Sequence, residues 1–104
     1  MKINTKLILK NMKGVDLTIS KEDTNPFTLG ISIANILNVV RDSRSGHTPH
    51  KMDSIKRHVL SLKFYNDKEV ELDEADLSSL LETVKTDPYF DANIIGQTYL
   101  LIKK

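Results

Sequence analysis

The chain has 104 residues, of which 39% are hydrophobic and 28% are charged, and its formal net charge is +1. This length favours one domain over residues 1–104, with enough apolar side chains for a core and enough charge for a solvated surface. Because the sequence contains no cysteine, disulfide frameworks, thiolate zinc sites and cysteine nucleophiles are excluded, and the small net charge does not indicate a bulk attraction to nucleic acid or acidic membranes.

A β-hairpin is predicted at the N-terminus. An apolar run at 7–9 and an alternating apolar segment at 15–19 flank a polar tetrapeptide that ends in Gly14. Glycine can supply the positive φ that a tight turn needs. The polar connector at 20–26 ends in a proline, which disfavours helix at the residue before it.

The next segment has the pattern of a central helix. Thr28 is a suitable N-cap, and apolar residues follow at helical spacing at positions Leu29, Ile33, Ile36, Leu37 and Val40. Further apolar residues widen this stripe, so we expect the helix to be buried on much of its surface. The breaker-rich segment 42–49 (DSRSGHTP) is predicted to be a mobile loop.

A second amphipathic helix is predicted from about His50 to Phe64. Its apolar stripe is Met52, Ile55, Val59 and Leu62. Its other face carries the cations Lys51, Lys56, Arg57 and Lys63. This spacing predicts that the stripe packs on the core and that the cations face solvent.

Two more helices complete the predicted fold. Asp73 follows a short extended piece at 70–72 and is a strong N-cap for a third helix with the stripe Leu77, Leu80, Leu81 and Val84. Pro88 interrupts the chain, and a last helix is predicted from about Asp91 to Ile102. The fold class is therefore α+β and mostly helical, with an N-terminal β-hairpin followed by about four helices.

Three histidines and a carboxylate lie close together in the sequence. His47, His50 and His58, with Asp53 between them, are residue types that ligate zinc. However, His47 lies in the breaker-rich loop, and His58 is eight residues from His50. We therefore interpret them as ordinary loop and surface histidines and expect no metal or other cofactor.

The same stretch is basic. The candidate phosphate contacts are Arg41, Arg44, Lys51, Lys56 and Arg57. Lysine and arginine neutralise phosphates and release counterions, but no aromatic residue interleaves with them to stack on bases. Binding of nucleic acid through residues 41–58, as a weak regulator, is therefore the alternative function rather than the leading one.

No common catalytic motif occurs. The sequence lacks G-x-S-x-G and both glycine-rich phosphate-binding patterns. The acidic segment 67–76 lacks the central glycine and the spacing of an EF-hand loop. We expect a protein that is not an enzyme, with no small-molecule substrate.

Aromatic residues near predicted helix ends are the candidate protein interface, because aromatic side chains are enriched in the buried centres of interfaces. They are Tyr65, Tyr89, Phe90 and Tyr99. We expect binding to a protein partner or self-association through them. The first 13 residues contain four lysines and no long apolar run, so neither a signal peptide nor a membrane span is expected.

Several segments together resemble small uncharacterised proteins of tailed phages and prophages. They are 9–15 (LKNMKGV), 27–30 (FTLG), 63–72 (KFYNDKEVEL) and 94–97 (IIGQ). The sequence departs from the family pattern at Phe64, where an aliphatic residue is usual, and in its longer loop at 42–49. The resemblance implies a phage-derived accessory or assembly protein in the host cytoplasm, and it supplies no catalytic residue. Within these segments Gly30 is predicted to permit close packing of the hairpin, and Gly96 close packing of a neighbouring helix.

Overall fold

The computed structural model describes residues 1–39, 41 and 49–103. Over these ranges the protein is α+β and mostly helical, as predicted, with four helices. The element order is β1 (Lys2–Asn4), α1 (Leu29–Asn38), α2 (Ser54–Asn66), β2 (Glu69–Glu71), α3 (Glu74–Lys85) and α4 (Ala92–Lys103). Val40 and most of the predicted loop at 42–49 lie outside the described residues.

The N-terminal strand pairs with a strand from the second half of the chain. β1 and β2 form a two-stranded antiparallel sheet in which Ile3 lies opposite Val70. Both of these side chains are buried, whereas their neighbours in each strand are exposed. This is expected of a strand with one buried face, because successive side chains point to opposite faces. Thr5 continues the pairing, since its hydroxyl donates to the carbonyl of Lys68, 63 positions away. The sheet thereby ties the N-terminus to the segment that follows α2.

The predicted hairpin lies between β1 and α1. Lys10 pairs antiparallel with Asp16, and Gly14 in the intervening turn has a φ of +83°, as the sequence predicted. The carbonyl of Leu9 accepts the N–H of Leu17 at 2.8 Å. Phe27 bonds to both arms of the hairpin. Its N–H donates to the carbonyl of Leu17 at 2.9 Å, and its carbonyl accepts the N–H of Leu9 at 3.0 Å. The hairpin is therefore joined to the segment that enters α1.

Helix α1 is the centre of the fold. The Thr28 hydroxyl accepts the N–H of Ile31 at 3.3 Å, which confirms the predicted N-cap. The helix packs against α2, α3 and α4, and its buried residues are Leu29, Gly30, Ser32, Ile33, Ala34, Ile36 and Leu37. At Gly30 the α2 backbone comes so close that a Cβ would lie 2.1 Å from the carbonyl oxygen of Phe64. Gly30 therefore permits close packing of α2 as well as of the N-terminal segment around Thr5.

The face of α2 that packs on the core differs from the predicted one. Leu60, Ser61 and Phe64 are buried, whereas the predicted stripe of Ile55, Val59 and Leu62 is exposed. The prediction counted its spacing from Met52, which is buried but precedes the helix. The side chain of Asp53 accepts the N–H of Lys56 at 2.8 Å and begins the helix at Ser54, so Met52 does not fix the orientation of α2.

Helices α3 and α4 follow the predicted pattern more closely. Asp73 accepts the N–H of Asp76 at 2.7 Å and is the N-cap of α3. Leu80 and Val84 are buried, and Leu77 and Leu81 pack against the core from partly buried positions. Helix α4 buries Ile102 and Thr98, and the Thr98 hydroxyl lies 2.7 Å from that of Ser32 in α1. By contrast, a Cβ at Gly96 would meet no described residue within 4 Å, so the predicted close packing of a helix there is wrong.

Candidate functional site

The outward side of α2 carries an apolar stripe. Ile55, Val59 and Leu62 are 78%, 45% and 51% exposed. At about 100° per residue these three positions lie within roughly 60° of one another, directly opposite the buried side. Together they form a seam about 10 Å long, which we call the α2 outer face.

Different side chains border this seam on its two edges. At helical spacing Lys56 and Lys63 lie along one edge, and His58 and Tyr65 lie along the other. All four residues are exposed, and Tyr65 adds a large aromatic surface to its edge. An apolar strip bordered by polar and aromatic groups has the composition of a small protein interface.

The lysine edge changes in charge along the helix. Near its start the ammonium of Lys56 lies 2.5 Å from a carboxylate oxygen of Asp76. A hydrogen bond from Lys56 to Asp76 raises the pKa of the lysine, and the nearby charges of Asp73 and Asp53 raise it further. The start of the edge therefore combines one ammonium, its partner Asp76 and the negative charges of Asp73 and Asp53. About two turns later Lys63 forms no salt bridge with any residue that the structure describes, so the far end of the edge is basic.

The predicted aromatic interface residues lie in three parts of the chain. Tyr65 is on α2, Tyr89 and Phe90 are in the connection between α3 and α4, and Tyr99 is on α4. Phe90 and Tyr99 are partly buried and pack against the core, while Tyr65 and Tyr89 are about half exposed. Tyr65 is thus the member of this set that lies beside the α2 outer face.

Arg41, a predicted phosphate contact, is buried. Its guanidinium donates to the hydroxyl of Thr86 at 2.7 Å and to the carbonyl of Thr83, and it lies 3.5 Å from the carboxylate of Asp87. Burial lowers the pKa of Arg41, and Asp87 opposes that shift. In this position the guanidinium binds the C-terminal end of α3 and is not presented to a ligand in solvent.

The other basic candidates are dispersed. The guanidinium of Arg57 donates to the carbonyl of Leu37 at 2.9 Å and so caps the end of α1. Lys56 is paired with Asp76, Lys51 is exposed, and Arg44 lies outside the described residues. The structure does not bring Arg41, Lys51, Lys56 and Arg57 together on one exposed surface.

His50 is partly buried and lies near the charges of Arg57, Arg41 and Asp87. Its Nε2 atom is 2.6 Å from the carbonyl oxygen of Val39, and its Nδ1 atom is buried and has no hydrogen-bond partner among the residues that the structure describes. Burial lowers the pKa of His50, the bond to Val39 opposes this, and the charges of Arg57 and Arg41 lower the pKa further. Among the positions that the structure places, no group of three metal-ligating side chains occurs, and His47 is not among those positions.

Sequence reasoning missed both the α2 outer face and Asp87. The signal for the outer face was present, because Leu60 and Phe64 do not fall on the predicted stripe and give α2 apolar residues on more than one side. Asp87 had only a local signal. Its side chain accepts the N–H groups of Tyr89 and Phe90 at 2.8 and 2.9 Å in a turn around Pro88, and its partner Arg41 is distant in sequence.

Comparison with protein-family models, curated proteins and solved structures gave no match. Within residues 1–39, 41 and 49–103, no helix has the length and apolar content needed to cross a bilayer. No enclosed pocket occurs in the same part of the chain.

Proposed function

We propose that this chain is a non-enzymatic accessory or assembly protein of phage or prophage origin, which acts in the host cytoplasm by binding protein through the α2 outer face. The observation that carries the proposal is the exposure of Ile55, Val59 and Leu62 as one stripe. They are not part of the core, because α2 packs against α1 and buries Leu60 and Phe64 instead. The phage origin depends on the resemblance of the sequence segments alone.

The stripe suits a helical or grooved partner. Its members are spaced by four and then three residues, which is the spacing of d, a and d positions in a heptad. Side chains at this spacing insert between those of a second helix, and amphipathic helices bind apolar grooves in the same way. Contiguous exposed apolar patches rimmed by polar groups mark interaction sites more often than scattered apolar residues do.

Nucleic-acid binding through residues 41–58 has less support. Arg41 and Arg57 cap helix ends and Lys56 is paired with Asp76, so three of the five candidates already bind groups within the chain. Each would have to leave its partner before it could neutralise a phosphate.

A pull-down with matched variants tests the proposed function. The tagged protein, Leu62→Asp and Leu100→Asp are incubated with nuclease-treated lysate of phage-infected host cells, and the bound proteins are compared. Leu100 on α4 is 63% exposed, so its variant adds the same charge to a different surface. We expect capture to be lost in Leu62→Asp and kept in Leu100→Asp. Equal capture by both variants, or recovery that requires nucleic acid, would contradict the proposal.

A further inference from the structure

We propose that the α2 outer face binds the same face of a second copy of this chain, with the two helices antiparallel across a twofold axis. The inference depends on the proposed function and names the partner. A twofold pair is isologous, so each copy must present a surface that complements itself. The apolar seam and the charges along its lysine edge both meet this requirement.

The seam is self-complementary in the antiparallel direction. When two α2 helices meet with Val59 opposite the partner's Leu62, the second contact of Leu62 with the partner's Val59 follows from the symmetry. Ile55 then lies at the level of the partner's Asn66, near the end of the seam. Three aliphatic side chains from each copy are removed from water, which favours association.

The charges select the antiparallel direction. At the start of the lysine edge Asp76 pairs with Lys56 and the negative charges of Asp53 and Asp73 also act, whereas the far end holds Lys63. An antiparallel arrangement brings Lys63 next to the acidic end of the other copy, twice across the interface. A parallel twofold pair would instead place the lysine edge of each copy against the partner's His58 and Tyr65, so Lys63 would not meet the partner's acidic end.

The opposite edge is also compatible with this arrangement. Tyr65 near the end of α2 approaches the partner's His58, because both residues border the same side of the seam. A phenol ring can pack against an imidazole ring. Neither edge therefore opposes the twofold pair.

The first experiment measures mass in solution. We expect light scattering or sedimentation of the purified protein, from 5 to 200 µM (about the range of a weak dimer), to give a dimer at the upper concentrations. Leu62→Asp and Ile55→Asp should be monomeric at every concentration, and Leu100→Asp should dimerise like the unmodified protein. Circular dichroism confirms that the variants fold. A monomeric unmodified protein, or a dimer that persists in both α2 variants, would overturn the inference.

Exchange of the charges at positions 63 and 76 tests the proposed contact between the lysine edges of the two copies. Lys63→Glu places a carboxylate beside the acidic end of the partner and should weaken the dimer by about tenfold. Asp76→Lys should weaken it to a similar extent. The double variant, Lys63→Glu with Asp76→Lys, exchanges the two charges and should have a dissociation constant within about threefold of that of the unmodified protein. A pair of substitutions whose effects simply multiply would show that Lys63 and Asp76 do not meet.

Disulfide cross-linking tests the relative direction of the two α2 helices. Because the sequence contains no cysteine, only the introduced cysteines can form a disulfide. Ile55→Cys and Asn66→Cys are prepared as separate proteins and mixed under oxidising conditions. The antiparallel pair predicts disulfides between the two variants. The two copies of position 55 would lie about 16 Å apart along the axis, beyond the reach of a disulfide. Cross-links formed by Ile55→Cys with itself would instead indicate a parallel pair and overturn this arrangement.

The outcomes separate the inference from the proposed function. If the unmodified protein is monomeric but Leu62→Asp loses a captured host or phage protein, the α2 outer face binds a partner of another sequence and the self-association proposal fails alone. If the protein dimerises through α2, the inference stands whatever the lysate yields.

Discussion

Arg41 and Asp87 form a buried ion pair that joins the residue near the end of α1 to the turn that follows α3. The guanidinium and carboxylate lie 3.5 Å apart, and both side chains are 0% exposed. Asp87 also accepts the N–H groups of Tyr89 and Phe90, and Arg41 also binds Thr83 and Thr86. One buried pair thus fixes the position of α3 and the start of the connection to α4.

We expect Arg41→Met to destabilise the protein by about 3 kcal/mol, because removal of one partner leaves a charged group buried without compensation. Methionine keeps most of the volume, so the loss reports charge and hydrogen bonds rather than a cavity. Chemical denaturation measures the change. Asp87→Asn added to Arg41→Met removes the uncompensated carboxylate while keeping an acceptor for the turn, and it should recover part of the loss. A cost below about 1 kcal/mol for Arg41→Met would show that the pair is not structural.

Two glycines offer a matched comparison within helices. A Cβ at Gly30 would lie 2.1 Å from the Phe64 carbonyl oxygen and 2.8 Å from the Cβ of Thr5, whereas a Cβ at Gly96 would have no atom of the described part of the chain within 4 Å. We expect Gly30→Ala to cost about 3 kcal/mol, because α2 must move away from α1. Gly96→Ala should instead stabilise the protein by about 0.5 to 1 kcal/mol through the higher helix propensity of alanine. Thermal melts of the two variants should shift in opposite directions, and a shift in the same direction would contradict the described packing.

The features that the sequence predicts well are local. Thr28, Asp73 and Gly14 were identified because a cap or a turn is determined by residues a few positions apart, and the structure confirms all three. The β1–β2 pairing and the Arg41–Asp87 pair depend on contacts between distant segments, which no local pattern encodes.

The error at α2 has a different physical origin. Its sequence carries apolar residues on two sides, and the choice of buried side depends on the close approach of Phe64 to Gly30 rather than on periodicity. The same error placed Ile55, Val59 and Leu62 in the core, so the candidate site became visible only with the fold. Arg41 shows the converse, since its sequence neighbourhood indicates a solvated basic segment while its position at the end of α1 leads to burial.

Gln97 clamps the N-terminal hairpin to α4. Its carbonyl oxygen accepts the N–H of Lys10 at 2.8 Å, and its amide nitrogen donates to the Lys10 carbonyl. We expect Gln97→Ala to destabilise the protein by about 1 to 2 kcal/mol, the contribution of two hydrogen bonds, and to speed hydrogen exchange of the Lys10 amide. Gln97→Glu keeps the acceptor for that amide and should retain most of its protection. Unchanged exchange at Lys10 in Gln97→Ala would show that the clamp does not hold the hairpin.

The environment of His50 predicts a loss of stability in acid. Burial lowers the pKa of His50 from its ordinary value of 6.5, and the charges of Arg57 and Arg41 act in the same direction. The unfolded chain therefore binds a proton at His50 more readily than the folded chain does. The stabilising contribution of neutral His50 is present above about pH 6.5 and is lost as the pH falls from there toward the lowered pKa of the folded state.

Denaturation at pH 7.5 and at pH 5, about one unit above and about 1.5 units below the ordinary pKa of 6.5, measures the loss. His50→Gln carries no titrating group but can still donate to the Val39 carbonyl, so we expect its stability to fall less between the two pH values. His58→Gln is the matched control, because His58 is exposed on α2, and it should keep the pH dependence of the unmodified protein. If His50→Gln loses as much stability in acid as the unmodified protein does, the acid sensitivity arises elsewhere.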